Sequence, residues 1–366
     1  MSMNDSRQSR LITAMRFPLI VLVVFSHAIG FSENQPVSFS LDGWNVYHFV
    51  ANLLCRQFCS LGTCWFFIIS GYFFFLNVAD PSIRWIPGKW KKRVRTLLIP
   101  YLIWNTLYIL VIFAKTSLFS RMGFAPEAEE VLLMQKGPLY WYVTGPVDYP
   151  LWFMRSLMIM TLLTPLLYPV FRRFPIASLV VLLAFYFGFP GEPPLLQMRG
   201  VFFFSIGALA GIHGKSMLAF SRRYRWVALV GTVILSVVAT FRTGQPDIYL
   251  WRRAFYLFGV PAFMIFCDRL TERHPKREAR LCGLAGTVFF IYAAHEIYIL
   301  GWTKGICLRL FGDGLAGNWI KLIFVPVVVL LVCLGLYYLL NRIMPRTLAF
   351  CTGGRTGASK ANSAQS

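Results

Sequence analysis

The sequence predicts an all-α polytopic membrane protein of about ten transmembrane helices, with both termini in the cytoplasm. Three observations lead there. Of 366 residues, 57% are hydrophobic and only 14% are charged, where a soluble chain carries roughly 25% charged residues. The apolar residues fall into stretches close to the ~20 residues that a helix needs to cross the hydrocarbon core. Finally, 36 Lys+Arg against 15 Asp+Glu leave a net charge of +21, and the basic residues gather at alternate connections, as the positive-inside bias requires. A nucleic-acid binder of equal charge would set basic stretches in a soluble core, which this composition lacks, so nucleic acid is excluded as a partner.

The expected spans can be justified in chain order. The first, 11–31, follows Arg7 and Arg10 and is too long for the core of a cleaved signal peptide. The second, 55–77, leads into Arg84 and the basic run 89–95. The third, 97–118, exits to a long connection, 116–150, whose Gly137-Pro138 and Gly145-Pro146 steps interrupt any continuous helix. The fourth, 152–171, ends at Arg172 and Arg173. The fifth and sixth, 175–190 and 200–213, are short, and Lys215, Arg222, Arg223 and Arg225 follow the sixth. After the seventh, 226–241, and the eighth, 251–267, come Arg269, Arg273, Lys276, Arg277 and Arg280. The ninth and tenth are 283–302 and 319–340, with Arg342, Arg346 and Arg355 beyond. Ten crossings put every one of those basic loops on one side. One transmembrane domain then occupies 1–350, and 351–366 is expected to be a short disordered cytoplasmic tail, small and polar in its composition. The eight cysteines show no zinc spacing and are expected as small core residues.

Ionisable side chains inside spans are costly and mark functional candidates. Arg16 and His27 share the first span, eleven residues apart, which is about 16 Å of rise and within roughly 20° of one face. That face is expected to line an internal passage; the alternative is an arginine snorkelling to headgroups and a histidine capping the helix. His295, followed by Glu296, is the second intramembrane histidine, at a depth similar to His27 on this topology. Two imidazoles and a carboxylate suit proton transfer to or from a hydroxyl, although a packing hydrogen bond between spans is the plainer use of a lone histidine. The run 89–95, with Arg93 and Arg95, is either an anchor or a phosphate receptor. Arg155, just inside the fourth span, needs a partner. Ser70-Gly71 and Asn105 add polarity within the second and third spans, and Ser and Gly commonly serve close helix packing.

These residues also carry a resemblance. The chain resembles the acyltransferase-3 family of integral membrane acyltransferases from its first span to its last, in the stand-alone membrane form. Arg16 and His27 match the family's first-helix Arg and His, and 65–72 match its aromatic run into Ser-Gly-Tyr. The basic residues 93–95 lead into Pro100-Tyr101, Leu151-Trp152-Phe153 match a Leu-Trp-Phe, and Tyr292 to His295 match a late Tyr-x-x-His. One departure is that Thr96 stands three residues after Arg93, where relatives often carry a second basic residue.

The resemblance implies transfer of an acetyl or succinyl group from cytoplasmic acyl-CoA, most often acetyl-CoA, to a hydroxyl of a surface or lipid-linked glycan, an O-acetylation in the commonest case. It implies His27 as general base, Arg16 with Arg93 or Arg95 on the donor, and Trp152, Arg155, His295 and Glu296 shaping the acceptor site. No metal is required. Membrane lipids are the surroundings, and a bacterial inner membrane the expected location. From the residues alone a proton-coupled transporter remains open, since buried Arg and His also suit a proton relay.

Overall fold

The computed structural model describes residues 3–27, 35–78, 80–123, 125, 128–193 and 195–355. Helices dominate, and there is no strand among the described residues. This follows from a chain whose backbone must satisfy its own polar groups in lipid. Five helices are long and apolar enough to cross a membrane, at Arg7–Ser26, Gly43–Phe75, Ile86–Arg121, Ile248–Glu272 and Leu315–Ile343. The count reaches seven if each of two bent pairs is one span. The protein is therefore an integral membrane protein. Its outer surface presents large apolar side chains, among them Leu331, Ile323 and Val233, as a lipid-facing belt requires.

Each of the ten expected segments is helical, but several differ in form from a straight span. The expected fourth span turns by 65° between Tyr149–Leu162 and Thr164–Arg173, with Pro165 removing a backbone donor just past the bend. The sixth turns by 106° into Met217–Arg223 after Gly214, whose φ is +59°. The fifth and seventh are only 14 and 17 residues long. The ninth is divided into Val288–Ala294 and Ile299–Phe311, with residues 295–298 as a turn. Residues 28–31 of the expected first span lie outside the described residues.

Close backbone contact fixes the centre of the bundle. A Cβ on Gly71 would sit 2.1 Å from the carbonyl oxygen of Phe204, and one on Gly207 would sit 2.1 Å from that of Ile68. Helices Leu61–Phe75 and Met198–Ile212 therefore touch along glycines, with Gly211 meeting Tyr72 one turn on. A charged network ties helix ends together: Arg7 reaches Asp268 at 3.0 Å and Glu278 at 2.6 Å, and Arg222 reaches Asp268 at 2.6 Å. All eight cysteines are free; six are buried core residues, whereas Cys282 and Cys351 are partly exposed.

Of the expected tail, residues 351–355 run against the helix Ile99–Arg121 and the turn before it. Trp104 Nε1 donates to the Cys351 carbonyl at 3.0 Å, and Arg355 Nη2 donates to that of Thr96 at 2.7 Å. Residues 356–366 lie outside the described residues.

Gly207→Leu is expected to abolish accumulation of folded protein, because the two backbones cannot separate without opening the core. Gly88→Ala, at a helical glycine with nothing within 4 Å, is expected to keep or slightly raise the melting temperature. Detergent-solubilised chromatography and thermal unfolding distinguish them, and a Gly207→Leu protein that folds normally would refute the close crossing.

Candidate active site

The turn that divides the ninth segment builds the site. His295 Nδ1 lies 3.0 Å from the Ile291 carbonyl oxygen and 2.9 Å from that of Tyr292. Both are acceptors, so Nδ1 carries the proton and the lone pair is on Nε2. The chain then turns through Tyr298 at φ 56°, a strained conformation for an aromatic residue, of the kind concentrated at functional sites. Tyr298 is held there by donating its hydroxyl to Glu130 at 2.7 Å, and Lys115 binds the same carboxylate at 2.8 Å. Burial works against Glu130's charge, but these donors hold its carboxyl below the usual range.

The turn delivers Glu296 to the end of the first helix. Its Oε2 lies 3.4 Å from His27 Nδ1 and 3.9 Å from His295 Nε2. The two imidazole rings meet edge to face at 5.2 Å. With Glu296 facing Nδ1, His27 keeps Nε2 for another partner. The three ligand atoms all lie within 4.8 Å of one another, so the same donors have the composition of a transition-metal site.

His27 and Glu296 line a cavity of about 300 Å³, together with Tyr149, Pro150 and Trp152. A second cavity, of about 260 Å³, is lined by Arg16, Arg93 and Arg355 with no carboxylate, and by Ser70, Phe73 and Phe289. Arg93 Nη2 is 3.4 Å from both the hydroxyl and the carbonyl oxygen of Ser70. The guanidinium of Arg16 lies over Phe73 at 5.9 Å and that of Arg355 over Phe289 at 4.4 Å. Phe66, Phe153 and Tyr292 line both cavities and form the partition between them.

The structure thus brings Arg16 and Arg93 to one cavity and His27, Trp152 and Glu296 to the other, with His295 buried behind them. It does not bring in Arg95 or Arg155. Arg95 is exposed, because residues two apart on a helix point to opposite sides, and Arg93 is the one that faces inward. Arg155 lines neither cavity; its Nη1 donates to the carbonyls of Val143 and Thr144 at 3.1 and 2.6 Å, so it holds the preceding loop. Asn105 does the same from the third helix, donating to the Trp141 carbonyl and accepting from the amides of Val147 and Asp148. These two polar residues position Tyr149 and Pro150 at the cavity wall.

Several site residues had no assignment from the sequence. Arg355 sits in the expected tail. Arg56, Arg199, Arg252 and Lys304 line the first cavity; all lie at span ends that the charge count leaves poor in basic residues, and that misplacement was the available signal. Asp148 is fully buried in the loop, and neither carboxylate oxygen has a hydrogen-bond partner among the described residues. Burial pushes its carboxyl well above the usual range, and the charge of Glu296 adds to the shift.

A carboxyl that ionises near pH 4 when unfolded but stays protonated when folded costs stability as pH rises above about 4. Asp148→Asn is therefore expected to match wild type near pH 4 and to unfold at a higher temperature at pH 7. Thermal unfolding at the two pH values checks this, and a less stable variant at pH 7 would mean that Asp148 is ionised and paired.

Comparison with known proteins supplies the frame for this geometry. A family model described as an acyltransferase domain matches residues 11–338. The chain is similar to the succinoglycan biosynthesis protein ExoH of Rhizobium meliloti (strain 1021), at 27% identity over 366 residues, spanning 97% of this chain and 95% of that protein. No solved structure matches.

Proposed function

Since the chain belongs to the acyltransferase-3 family and is therefore an acyltransferase, we propose that it moves an acetyl or succinyl group from cytoplasmic acyl-CoA to a hydroxyl of a cell-surface glycan. Family membership makes it an enzyme, and the transporter alternative is set aside on that ground. The relative named for succinoglycan biosynthesis supports a glycan as acceptor.

The observation that carries the reading is the pair of cavities joined through one aromatic partition. A cavity walled by Arg16, Arg93 and Arg355, without a carboxylate, suits the phosphates of a CoA ester, because guanidinium forks bind phosphate by two parallel hydrogen bonds. Across Phe66, Phe153 and Tyr292, His27 faces the space where a sugar hydroxyl would lie. There His27 Nε2 takes the hydroxyl proton while the oxygen attacks the thioester carbonyl. The C–S bond breaks as the tetrahedral intermediate collapses, and the departing thiolate takes the proton from His27. Glu296 stabilises the imidazolium formed between these steps. The relay uses no metal, and a metal centre on the same three donors is its alternative.

The same reading places ten spans in the membrane, counting the bent and short helices, with both termini cytoplasmic. The basic loops then lie with the three-arginine cavity on the inner side of a bacterial inner membrane, and the His27 cavity opens outward. Membrane lipids cover the apolar belt, and the glycan is surface-attached or lipid-linked in this scheme.

His27→Ala is expected to lower transfer by about 10²–10⁴-fold, the usual weight of a general base, with the ester product followed by glycan mass spectrometry. Glu296→Gln is expected to lower kcat with little change in KM. Arg355→Ala is expected to raise the KM for acyl-CoA about tenfold, the worth of one charge-assisted contact. Full transfer by His27→Ala would remove the base from the mechanism. Strong chelators are expected to leave the rate unchanged, whereas a loss restored by zinc would replace the relay with a metal centre.

A further inference from the structure

One wall of the first cavity has no part in the chemistry above. Arg56, Arg199, Arg252 and Lys304 line it, against Glu296 as the one lining carboxylate, and Glu296 is already taken by His27. Arg199 and Arg252 form no ion pair with any described residue, and the Nε of each is buried without a hydrogen-bond partner. The guanidinium of Arg199 lies 5.6 Å from the centre of the Trp152 ring and 5.9 Å from that of Tyr256, and its Nη2 reaches Gln197 at 3.3 Å.

Neighbouring arginines show how this fold satisfies a cation it uses for structure. Arg253, next in the chain, donates to the carbonyls of Tyr186, Phe189 and Gly191 and lies 3.6 Å from Glu192. Arg155 likewise gives its Nη1 to two loop carbonyls, although its Nε is buried without a hydrogen-bond partner. Two arginines without a direct ion pair in a membrane domain are costly, the charge of Glu192 acting on Arg199 only at longer range. A ligand carrying an anion offsets that cost when it binds. The aromatic faces of Trp152 and Tyr256 hold the Arg199 fork in place, which is how planar, two-point recognition of a carboxylate is prepared.

We propose that Arg199 and Arg252 form a carboxylate-binding subsite beside His27, filled by a negatively charged group on one of the two substrates. That group is either the free carboxylate of a dicarboxylic acyl chain or an acidic sugar of the acceptor. The inference rests on reading the first cavity as the place of transfer, and it deepens that reading by making one substrate anionic.

The test uses the full chain purified in detergent, as wild type, Arg252→Gln, Arg252→Lys and Arg199→Lys, each first shown to be monodisperse. Transfer is measured with acetyl-CoA and succinyl-CoA, each onto a neutral oligosaccharide and its uronate-bearing counterpart. Thermal stabilisation by the same four compounds gives a readout apart from turnover. Arg252→Gln is expected to lower kcat/KM for a carboxylate-bearing substrate by about tenfold more than for its neutral counterpart. It is also expected to remove that substrate's stabilising shift, with Arg252→Lys recovering part of both. Arg199→Lys, which keeps the charge and loses the fork, is expected to show the same preference less strongly.

Discrimination between the two CoA esters assigns the subsite to the acyl group, and discrimination between the two oligosaccharides assigns it to the acceptor. Equal effects on charged and neutral compounds, or a wild type that binds them alike, would overturn the subsite. A wild type that transfers nothing but shows a carboxylate-dependent shift, lost in Arg252→Gln, would overturn the transfer reading and leave the subsite standing.

Discussion

A carboxylate within a membrane domain is stable only beside polar partners, and Glu296 has His27 at 3.4 Å and His295 at 3.9 Å. The rest of the site is arranged to make this contact. A continuous ninth helix would advance by about 1.5 Å per residue with a fixed rotation. The turn at 295–298 instead swings Glu296 toward the first helix and leaves His295 tied to its own backbone. The left-handed Tyr298 is the local cost, and the anchor at Glu130 and Lys115 keeps it in place.

The aromatic partition gives the contact its chemical meaning. Phe153 lies 6.2 Å from Phe66 and 6.0 Å from Tyr292, ring centre to ring centre, and Tyr292 donates its hydroxyl to the Pro150 carbonyl. On the proposed reading, an apolar wall between two charged cavities would keep a thioester from water until an acceptor oxygen is present. The glycine-lined crossing of Leu61–Phe75 with Met198–Ile212 supports this wall from behind, since a Cβ on Gly200 would meet the Phe67 ring at 2.7 Å. Packing at that crossing and chemistry at His27 therefore belong to one mechanical unit.

Much of this was legible along the chain. Hydrophobic length located the apolar helices, of which five to seven are long enough to span, and the cost of charge in lipid singled out Arg16, His27, His295 and Glu296 before any geometry was known. The Ser-Gly-Tyr step at 70–72 was readable as close packing, and Gly71 does meet a neighbouring backbone. Other features were not readable. Arg93 and Arg95 stand on opposite sides of a helix, and only the packing of that helix shows that Arg93 is the one facing the cavity. Arg155 carried the signature of a buried functional cation, yet its partners are loop carbonyls. Arg355 lay in a stretch whose composition reads as tail, because the contacts that order it come from residues more than 200 positions away.

The sequence by itself determined the solvent. Its apolar stretches follow from transfer free energies that act residue by residue, so an all-helical membrane protein with ionisable residues on its first helix could be derived without coordinates. Tertiary structure alone decided which polar groups meet. The break after Ala294, the inward turn of Arg93, and the gathering of Arg199, Arg252 and His27 around one cavity each depend on contacts between distant segments. Such contacts leave no periodic trace in a single chain, because a helix records which face is apolar and not which neighbour that face will touch.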